Sequence, residues 1–510
     1  MTGLPDWTMA VVSALTQILV VMLGLAVLVL LVMLVVDLVQ TGNTIRRNYP
    51  VIGRLRGLFQ EMGVFFRQYF SAMDREELPF NRAQRNWVHR AASGESGVVP
   101  FGSTKPMDAV GTAIFVSTPF PVLDDHAAAT EPLRIGPHAR RPYDAPSFFN
   151  ISAMSYGALS APAIRALSHG AAKANIWLNT GEGGLSPMHL EGECDLVFQI
   201  GTAKYGVRDA DGNLSDERLR ELAAIERIRM FELKLSQGAK PGKGGLLPAE
   251  KVSRDVADIR GIPPGVASVS PNRHPEFDDI EGLLDMIGHI REVTGKPVGF
   301  KAVIGSYGWI EDLCEAIGRR GVESAPDFFT IDSGDGGTGA APMSLVDNVG
   351  LPIRESLPIA VDILGRYGLR GRVRVIASGK LLTPGAVAWA LAAGADFVHC
   401  ARGFMFALGC IQAMRCHNNT CPTGITTHKR SLQRGLVVKD KSQKVAAYAH
   451  AIRDGVETIA HACGVTEPRL LRRKHVRIVQ ASGRSLPMTA MDFMPPEEEA
   501  PSAREFPAQP

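Results

Sequence analysis

The sequence predicts a (β/α)8 barrel preceded by one membrane-crossing helix. Two observations carry the barrel. From residue 149 onward, short apolar, β-branched runs ending in Gly or small polar residues alternate with helical stretches, and nine such runs fall within about 250 residues. Late in that series, three glycine-rich turns each follow a strand-like run. A third observation carries the helix: Ile18–Val36 contains no polar side chain.

The apolar run reaches back to Met9 with only Ser13, Thr16 and Gln17 interrupting. At about 1.5 Å per residue it crosses a hydrocarbon core of roughly 30 Å. A cleaved signal peptide would carry a basic flank and a shorter apolar core. Here Asp6 precedes the run, no Lys or Arg does, and no A-x-A site follows. Arg46, Arg47, Arg54 and Arg56 come after it, which places the body of the protein in the cytoplasm as a single-pass protein of the cell membrane. Residues 1–40 are therefore expected to be the anchor and 41–148 a connector and lead-in. Within the connector, Leu55–Phe70 has helical periodicity and several aromatics. It suits either a helix along the membrane surface or one packed on the catalytic body. Residues 101–148, rich in proline and turn residues, read as irregular.

The expected barrel occupies 149–465. Its candidate strands are Phe149–Met154, Ile176–Asn179, Leu196–Ile200, Met230–Leu235, Val266–Ser270, Val298–Val303, Phe328–Ile331, Arg372–Ala377 and Phe397–Cys400. Helices are expected at Ala161–Ala174, Ile280–Thr294, Trp309–Arg319 and Pro384–Ala393, and a long amphipathic one at Ser442–Gly464. Nine candidates imply one strand too many for the barrel. An open doubly wound sheet is the alternative, but no G-x-G-x-x-G follows the first strand. Residues 466–510 form an extension whose Pro- and Glu-rich end, 494–510, reads as disordered.

The net charge of +3 gives no reason to expect a nucleic-acid partner. The seven cysteines are odd in number and clustered, which fits a reducing compartment with a metal site better than a disulfide framework. Cys410, Cys416 and Cys421 are spaced C-x5-C-x4-C, with Pro422 after the last. Thiolates are preferred ligands of iron–sulfur clusters, and Cys-Pro is common there. Zinc, with His417 or Cys400 as a fourth ligand, and plain structural burial are the competing readings.

The three glycine turns are Ser333–Gly339 with Gly336 and Gly337, Ser378-Gly379-Lys380, and Ala401-Arg402-Gly403. Loops after the last strands of a β/α barrel commonly form a phosphate site, because glycines let backbone N–H groups approach an anion. Phe231–Gly245 is a lysine-bearing loop containing Lys240, and Asn179–Gly184 carries one carboxylate, Glu182. By composition alone the first is an ordinary solvated loop. Glu182 is either an acid–base group or a helix cap.

Taken together, these strings resemble the FMN-binding synthase domain of glutamate synthases. The matching stretches are Ala153–Ser160 (AMSYGALS), Asn179–Gly184 (NTGEGG), Gln237–Gly242 (QGAKPG), Gly334–Ala340 (GDGGTGA) and Cys410–Gly424, over about 145–465. The stretch Glu77–Arg82 (ELPFNR) looks like the lead-in of stand-alone members. The resemblance implies FMN at the C-terminal mouth of the barrel and a 3Fe-4S cluster on Cys410, Cys416 and Cys421. It places the backbone of Ala153, Met154 and Ser155, with Asn179, Gln199 and Lys301, along the flavin. Ser333, Gly336, Gly337, Gly379, Lys380, Arg402 and Gly403 would surround its phosphate. Lys240 and Arg260 would grip the carboxylates of 2-oxoglutarate, with Glu182 and Lys240 as catalytic groups. The implied reaction is reduction of 2-iminoglutarate, formed from 2-oxoglutarate and ammonia, to L-glutamate.

No cysteine precedes Cys194, so the N-terminal glutaminase cysteine of full glutamate synthases has no counterpart. Ammonia is then expected to be free or to come from a separate glutaminase partner. Without a dinucleotide fingerprint, the expected electron donor is ferredoxin or a similar carrier. Two rivals remain: an FMN-dependent dehydrogenase acting on another 2-oxo or 2-hydroxy acid and exchanging electrons with a membrane quinone, and a non-catalytic membrane electron-transfer subunit.

Overall fold

The computed structural model describes residues 6–95 and 97–493. The chain forms two compact units, Met1–Ala83 and Gln84–Pro510. The expected connector is thus divided, residues 84–148 belonging to the second unit. The tail expected to be disordered, 494–510, lies outside the described residues.

In the first unit a single helix covers Asp6–Val39, and Trp7–Val39 is long and apolar enough to cross a membrane. A short helix, Thr44–Asn48, comes next, with the Asn43 side chain accepting the Arg46 N–H at its N-terminus. A longer one, Gly53–Phe66, runs into a π-helical turn at Arg67–Ser71. Asp37 ties the end of the long helix to these shorter ones. It accepts from Arg54 at 2.8 Å on both carboxylate oxygens, from the Val51 N–H at 3.0 Å, and lies 3.3 Å from Arg46.

The second unit is built on eight parallel strands: β1 Phe149–Ile151, β2 Leu178–Asn179, β3 Leu196–Ile200, β4 Ile228–Lys234, β5 Val298–Val303, β6 Phe328–Asp332, β7 Arg374–Ser378 and β8 Phe397–Cys400. Each pairs with its chain neighbour, and β8 closes on β1 through Val398–Phe149 and His399–Asn150. The fold is therefore a closed (β/α)8 barrel, not an open sheet. The ninth candidate, Val266–Ser270, is the exception. Its residues Ser268–Val269 pair antiparallel with Leu246–Leu247 in a small hairpin between β4 and β5, outside the ring.

The helices between strands fall where periodicity and caps put them. Ala161–Ala174 starts on a Ser160 cap and ends at Asn175 in the left-handed region. Ile280–Thr294, Gly308–Arg320 and Pro384–Ala393 cover later strands. The last helix, Val438–Ala462, packs on Ala161–Ala174. The approach is close enough that a Cβ on Gly170 would lie 2.4 Å from Val445 Cγ1.

The N-terminal end of the barrel is plugged by residues expected to be irregular. Leu133–Ile135 and Tyr143–Ala145 form a hairpin, and Ile135, Tyr143 and Ala145 pack against Trp177, Val197, Met230, Phe328, Ile376 and Phe397. Ala113–Phe115 pairs with Val476–Val479, joining the lead-in and the C-terminal extension in one small sheet. With the bottom filled by apolar side chains, polar groups gather at the opposite, C-terminal mouth.

Candidate active site at the barrel mouth

Side chains two apart on a strand share a face, so Glu232 and Lys234 on β4 project together. Glu232 is fully buried and accepts three hydrogen bonds: from Asn179 Nδ2 at 2.8 Å, Gln199 Nε2 at 2.7 Å and Thr330 Oγ1 at 2.6 Å. Three strands beside and across the barrel thus hold one carboxylate. Next to it Lys301 on β5 lies 3.1 Å from Asp332 on β6. Asp332 also accepts from the Gly238 N–H at 3.0 Å and Ser378 Oγ at 2.8 Å. Burial alone would raise the Asp332 carboxyl, but the Lys301 charge and these donors hold it below its ordinary value. Lys301 is raised in turn: Asp332 and Glu232 outweigh its desolvation.

One layer further out, Lys234 Nζ lies 2.9 Å from Glu182 Oε2 and donates to Gln237 Oε1 at 2.9 Å. Burial opposes the Glu182 charge, yet Lys234, Lys240 and Arg260 pull its pKa down to about 2. Lys240, buried with its Nζ 3.3 Å from Gly244 O, is pulled down to about 8 by desolvation and the Lys234 charge. Arg260 reaches the same region from the helix Arg254–Arg260. Its Nη1 donates to Ser268 Oγ at 3.0 Å, its guanidinium stacks 5.1 Å from the Tyr205 ring centre, and its buried Nε has no partner among the described residues. Two lysines and an arginine against one outer carboxylate suit an anionic ligand with more than one carboxylate.

The three glycine turns converge on one side. A Cβ on Gly238 would sit 2.1 Å from Ser333 O, one on Gly379 (φ +128°) 2.2 Å from Ser333 Cβ, and one on Gly337 2.8 Å from Arg402 Nη1. Backbone following β4, β6 and β7 and the Arg402 guanidinium, from the turn after β8, therefore share a cradle that side chains would fill. Gly336 borders it through Gly238, and Gly403 packs against Cys400 and Tyr448. Lys380 is paired with Asp335 at 2.8 Å, and Asp335 also accepts from Ser333 Oγ. Along the β1 side, the Met154 N–H donates to Asn179 O at 3.0 Å and His189 Nε2 lies 3.0 Å from Met154 O, fixing the Ala153–Ser155 backbone. This donor set and cradle fit the phosphate of a flavin nucleotide.

The cysteine segment folds over the same mouth. His428 Nε2 lies 2.8 Å from Gly157 O, the Ser160 N–H donates to Ile425 O at 2.8 Å, and a Cβ on Gly339 would lie 3.8 Å from Cys416 Cβ. Lys251 spans two loops, donating to Ala158 O and Cys416 O at 3.0 Å each. Cys410 is raised to about 12, first by burial, with Cys416 and Cys421 adding to it. Burial also pulls Lys251 down to about 8, while Cys416 and Cys421 act to raise it. Cys416 and Cys421 thus influence both Cys410 and Lys251. Among the described residues, no three His, Cys, Asp or Glu side chains are grouped as ligands of a metal ion. Cys400 stands apart, its Sγ 3.6 Å from Tyr448 Oη.

Sequence reasoning missed Glu232, Lys234, Asp332 and Lys251. The first two left a signal: charged residues at alternate positions of an otherwise apolar strand (FELK) point to a polar barrel interior. Lys251, separated from the cysteines by a long stretch of chain, left none.

A closed eight-stranded barrel whose charged side chains and glycine turns meet at the C-terminal strand ends defines an α/β-barrel enzyme with its chemistry at that mouth. Residues 125–466 match the conserved region in glutamate synthase, and the chain belongs to the glutamate synthase family. It is 40% identical over 475 residues to the glutamate synthase large subunit-like protein YerD of Bacillus subtilis, covering 86% of this chain and 90% of that one. It is 33% identical over 345 residues to an archaeal-type glutamate synthase (NADPH) of Dehalococcoides mccartyi, covering 67% of this chain and 65% of that relative. Among solved structures it resembles a flavocytochrome b2 variant with pyruvate bound, at 15% identity and a TM-score of 0.45 over 82% of this chain and 84% of that one.

Proposed function

We propose that this glutamate synthase-type oxidoreductase reductively aminates 2-oxoglutarate to L-glutamate while anchored in the cell membrane, its catalytic unit on the cytoplasmic side. The observation that carries this reading is the grouping of Lys234, Lys240 and Arg260 around Glu182 above the Lys301–Asp332 pair. Lys240 and Arg260 bind the two carboxylates of the substrate, and the Arg260 Nε left without a protein partner has an acceptor to meet. Glu182, ionised at neutral pH, orients the lysines. Reduction of the C=N bond adds a hydride to carbon and a proton to nitrogen, and Lys240, with a pKa of about 8, is suited to give that proton.

Ala153, Met154, Ser155, Asn179, Gln199 and Lys301 would line the FMN ring. Ser333, Gly336, Gly337, Gly379, Lys380, Arg402 and Gly403 would surround its phosphate, and Cys410, Cys416 and Cys421 would hold a 3Fe-4S cluster. When bound, FMN supplies the hydride and the cluster the electrons that restore it. Ferredoxin or a similar carrier is the proposed donor, and ammonia, free or from a glutaminase partner, the nitrogen source.

The deciding experiment supplies purified protein carrying both cofactors with ammonia, 2-oxoglutarate and either reduced ferredoxin or NADPH. Glutamate formation supports the reading, and the productive donor identifies the electron source. No glutamate with either donor rejects it. A second reading, oxidation of a 2-hydroxy acid with reduction of a membrane quinone, is favoured by the apolar Trp7–Val39 helix. It requires a 2-hydroxy acid, as the sole electron donor, to reduce a quinone analogue in the absence of ferredoxin, NADPH and ammonia.

A further inference from the structure

The helix Gly53–Phe66, beyond the anchor, is an amphipathic element with no protein partner for its apolar face among the described residues. Its residues Leu55, Leu58, Phe59, Met62 and Phe66 fall at i, i+3, i+4, i+7 and i+11, one stripe of a helix. Not one residue of this helix is buried; Phe59 is 65% exposed and Phe66 49%. The next turn adds Phe70, 81% exposed, on the same side. Arg54, Arg56, Gln60 and Glu61 lie off the stripe, together with Val64 and Phe65. Single exposed apolar residues are ordinary, but a continuous aromatic stripe is not.

Two further observations say what covers it. The helix is fastened to the end of the apolar run: Asp37, the residue after Ile18–Val36, binds Arg54 on both oxygens at 2.8 Å and the Val51 N–H at 3.0 Å. Whatever surface the apolar helix leaves at Asp37 is therefore the surface beside which Gly53–Phe66 begins. The segment is also cationic. Between residues 40 and 73, Arg46, Arg47, Arg54, Arg56 and Arg67 face Glu61 as the one acidic residue. Exposed aromatics on one side and arginines on the other are the pattern of a helix lying at the boundary of headgroups and acyl chains of an anionic leaflet.

We propose that Gly53–Phe66 lies in the plane of the membrane, with Leu55, Phe59, Met62 and Phe66 in the lipid and Asp37 holding its start at the exit of the anchor. This rests on the reading of Trp7–Val39 as a membrane span. It adds a second lipid contact, one that holds the chain beside the bilayer surface before the catalytic unit begins.

The test uses the full chain reconstituted in vesicles of phosphatidylcholine and phosphatidylglycerol, with p-benzoylphenylalanine placed singly at Leu25, Phe59, Phe66 or Gln60. After irradiation, lipid and protein adducts are identified by mass spectrometry. The expected result is lipid adducts at Leu25, Phe59 and Phe66, with about fivefold less at Gln60 on the opposite face. Lipid adducts at Leu25 together with protein adducts at Phe59 and Phe66 would overturn the inference while leaving the anchor standing; the stripe would then cover the catalytic unit or a second copy. Equal lipid labelling at Phe59 and Gln60 would also overturn it. No lipid adduct at Leu25 removes the anchor and the inference with it.

Discussion

Glu182 Oε2 lies 2.9 Å from Lys234 Nζ, and the charge of that lysine, rather than of the more distant cations, leads the forces that keep Glu182 ionised against its burial. Lys240 feels the opposite balance: desolvation and its neighbour Lys234 bring its pKa to about 8, and Glu182 recovers only part of the loss. A lysine lowered in this way keeps its proton below that value and loses it as pH rises through it. The kcat/KM for 2-oxoglutarate should therefore fall above a pH of about 8. Lys240→Arg should move that limb beyond the measurable range. Lys240→Gln should lower the rate by about 10²–10⁴-fold at neutral pH, the span of lost acid catalysis. A profile flat to a pH of about 10 in the natural enzyme would remove Lys240 from the proton step.

Removing Lys234 tests the pair from the side of stability. Glu182 has a folded pKa of about 2 against an ordinary 4.5, so its contribution is fully present above about 4.5 and disappears as pH falls toward 2. Lys234→Met leaves a largely buried carboxylate without its nearest cation, at a cost of about 3 kcal/mol. In denaturant unfolding at neutral pH the variant should be less stable by that order, and the gap should shrink between pH 4.5 and 2. A gap independent of pH would mean that lost packing, not the charge pair, sets the cost.

Glu232 calls for a different measurement, because its three partners are all donors. Glu232→Gln preserves shape but places an amide N–H₂ where an acceptor is required, leaving at least one buried donor unmatched at about 1–3 kcal/mol. Since Asn179 and Gln199 are two of those partners, the variant should retain less FMN after gel filtration as well as unfold at lower temperature. Full flavin retention with a lowered melting temperature would confine Glu232 to a structural role.

Much of this architecture could be read from residue order. Phe149–Ile151, Val298–Val303 and Phe397–Cys400 announce themselves as strands because buried parallel strands are near-continuous apolar runs, each here broken by one polar residue (Asn150, Lys301, His399), and Ala161–Ala174 carries its own cap. Ser268–Val269 shows the limit. A short β-branched run looks the same whether it closes a barrel or forms a two-residue hairpin, and only the partner Leu246–Leu247 decides. Ile135, Tyr143 and Ala145 were hidden for a related reason, since a plug made of short strands among prolines has no period long enough to detect. At the mouth, Glu182 and Lys240 stand in glycine-rich strings that draw the eye. Lys251 does not, because its contacts with Ala158 and Cys416 depend entirely on tertiary folding.

The number of ligands of the proposed cluster turns on Cys400, which ends the last barrel strand ten residues before Cys410. Its thiol is buried, lies 3.6 Å from Tyr448 Oη, and is crowded by Gly403, where an added Cβ would come within 2.6 Å of the sulfur. Burial is the leading cause of its raised pKa, and the other influences come from Tyr448, Arg402 and nearby backbone, with none of the three clustered thiols among them. Burial leads for Cys410 and Cys416 too, but there companions in the triplet add to the shift. A three-ligand cluster therefore predicts an asymmetry. Cys416→Ser should abolish the cluster's visible absorbance and electron-paramagnetic signal while FMN remains bound. Cys400→Ser should leave both signals intact and lower the melting temperature only slightly, since a hydroxyl can keep the Tyr448 contact. If Cys400→Ser removed the cluster signal as Cys416→Ser does, the fourth ligand would be Cys400. The strand end at β8 would then have to move away from Tyr448 to supply it.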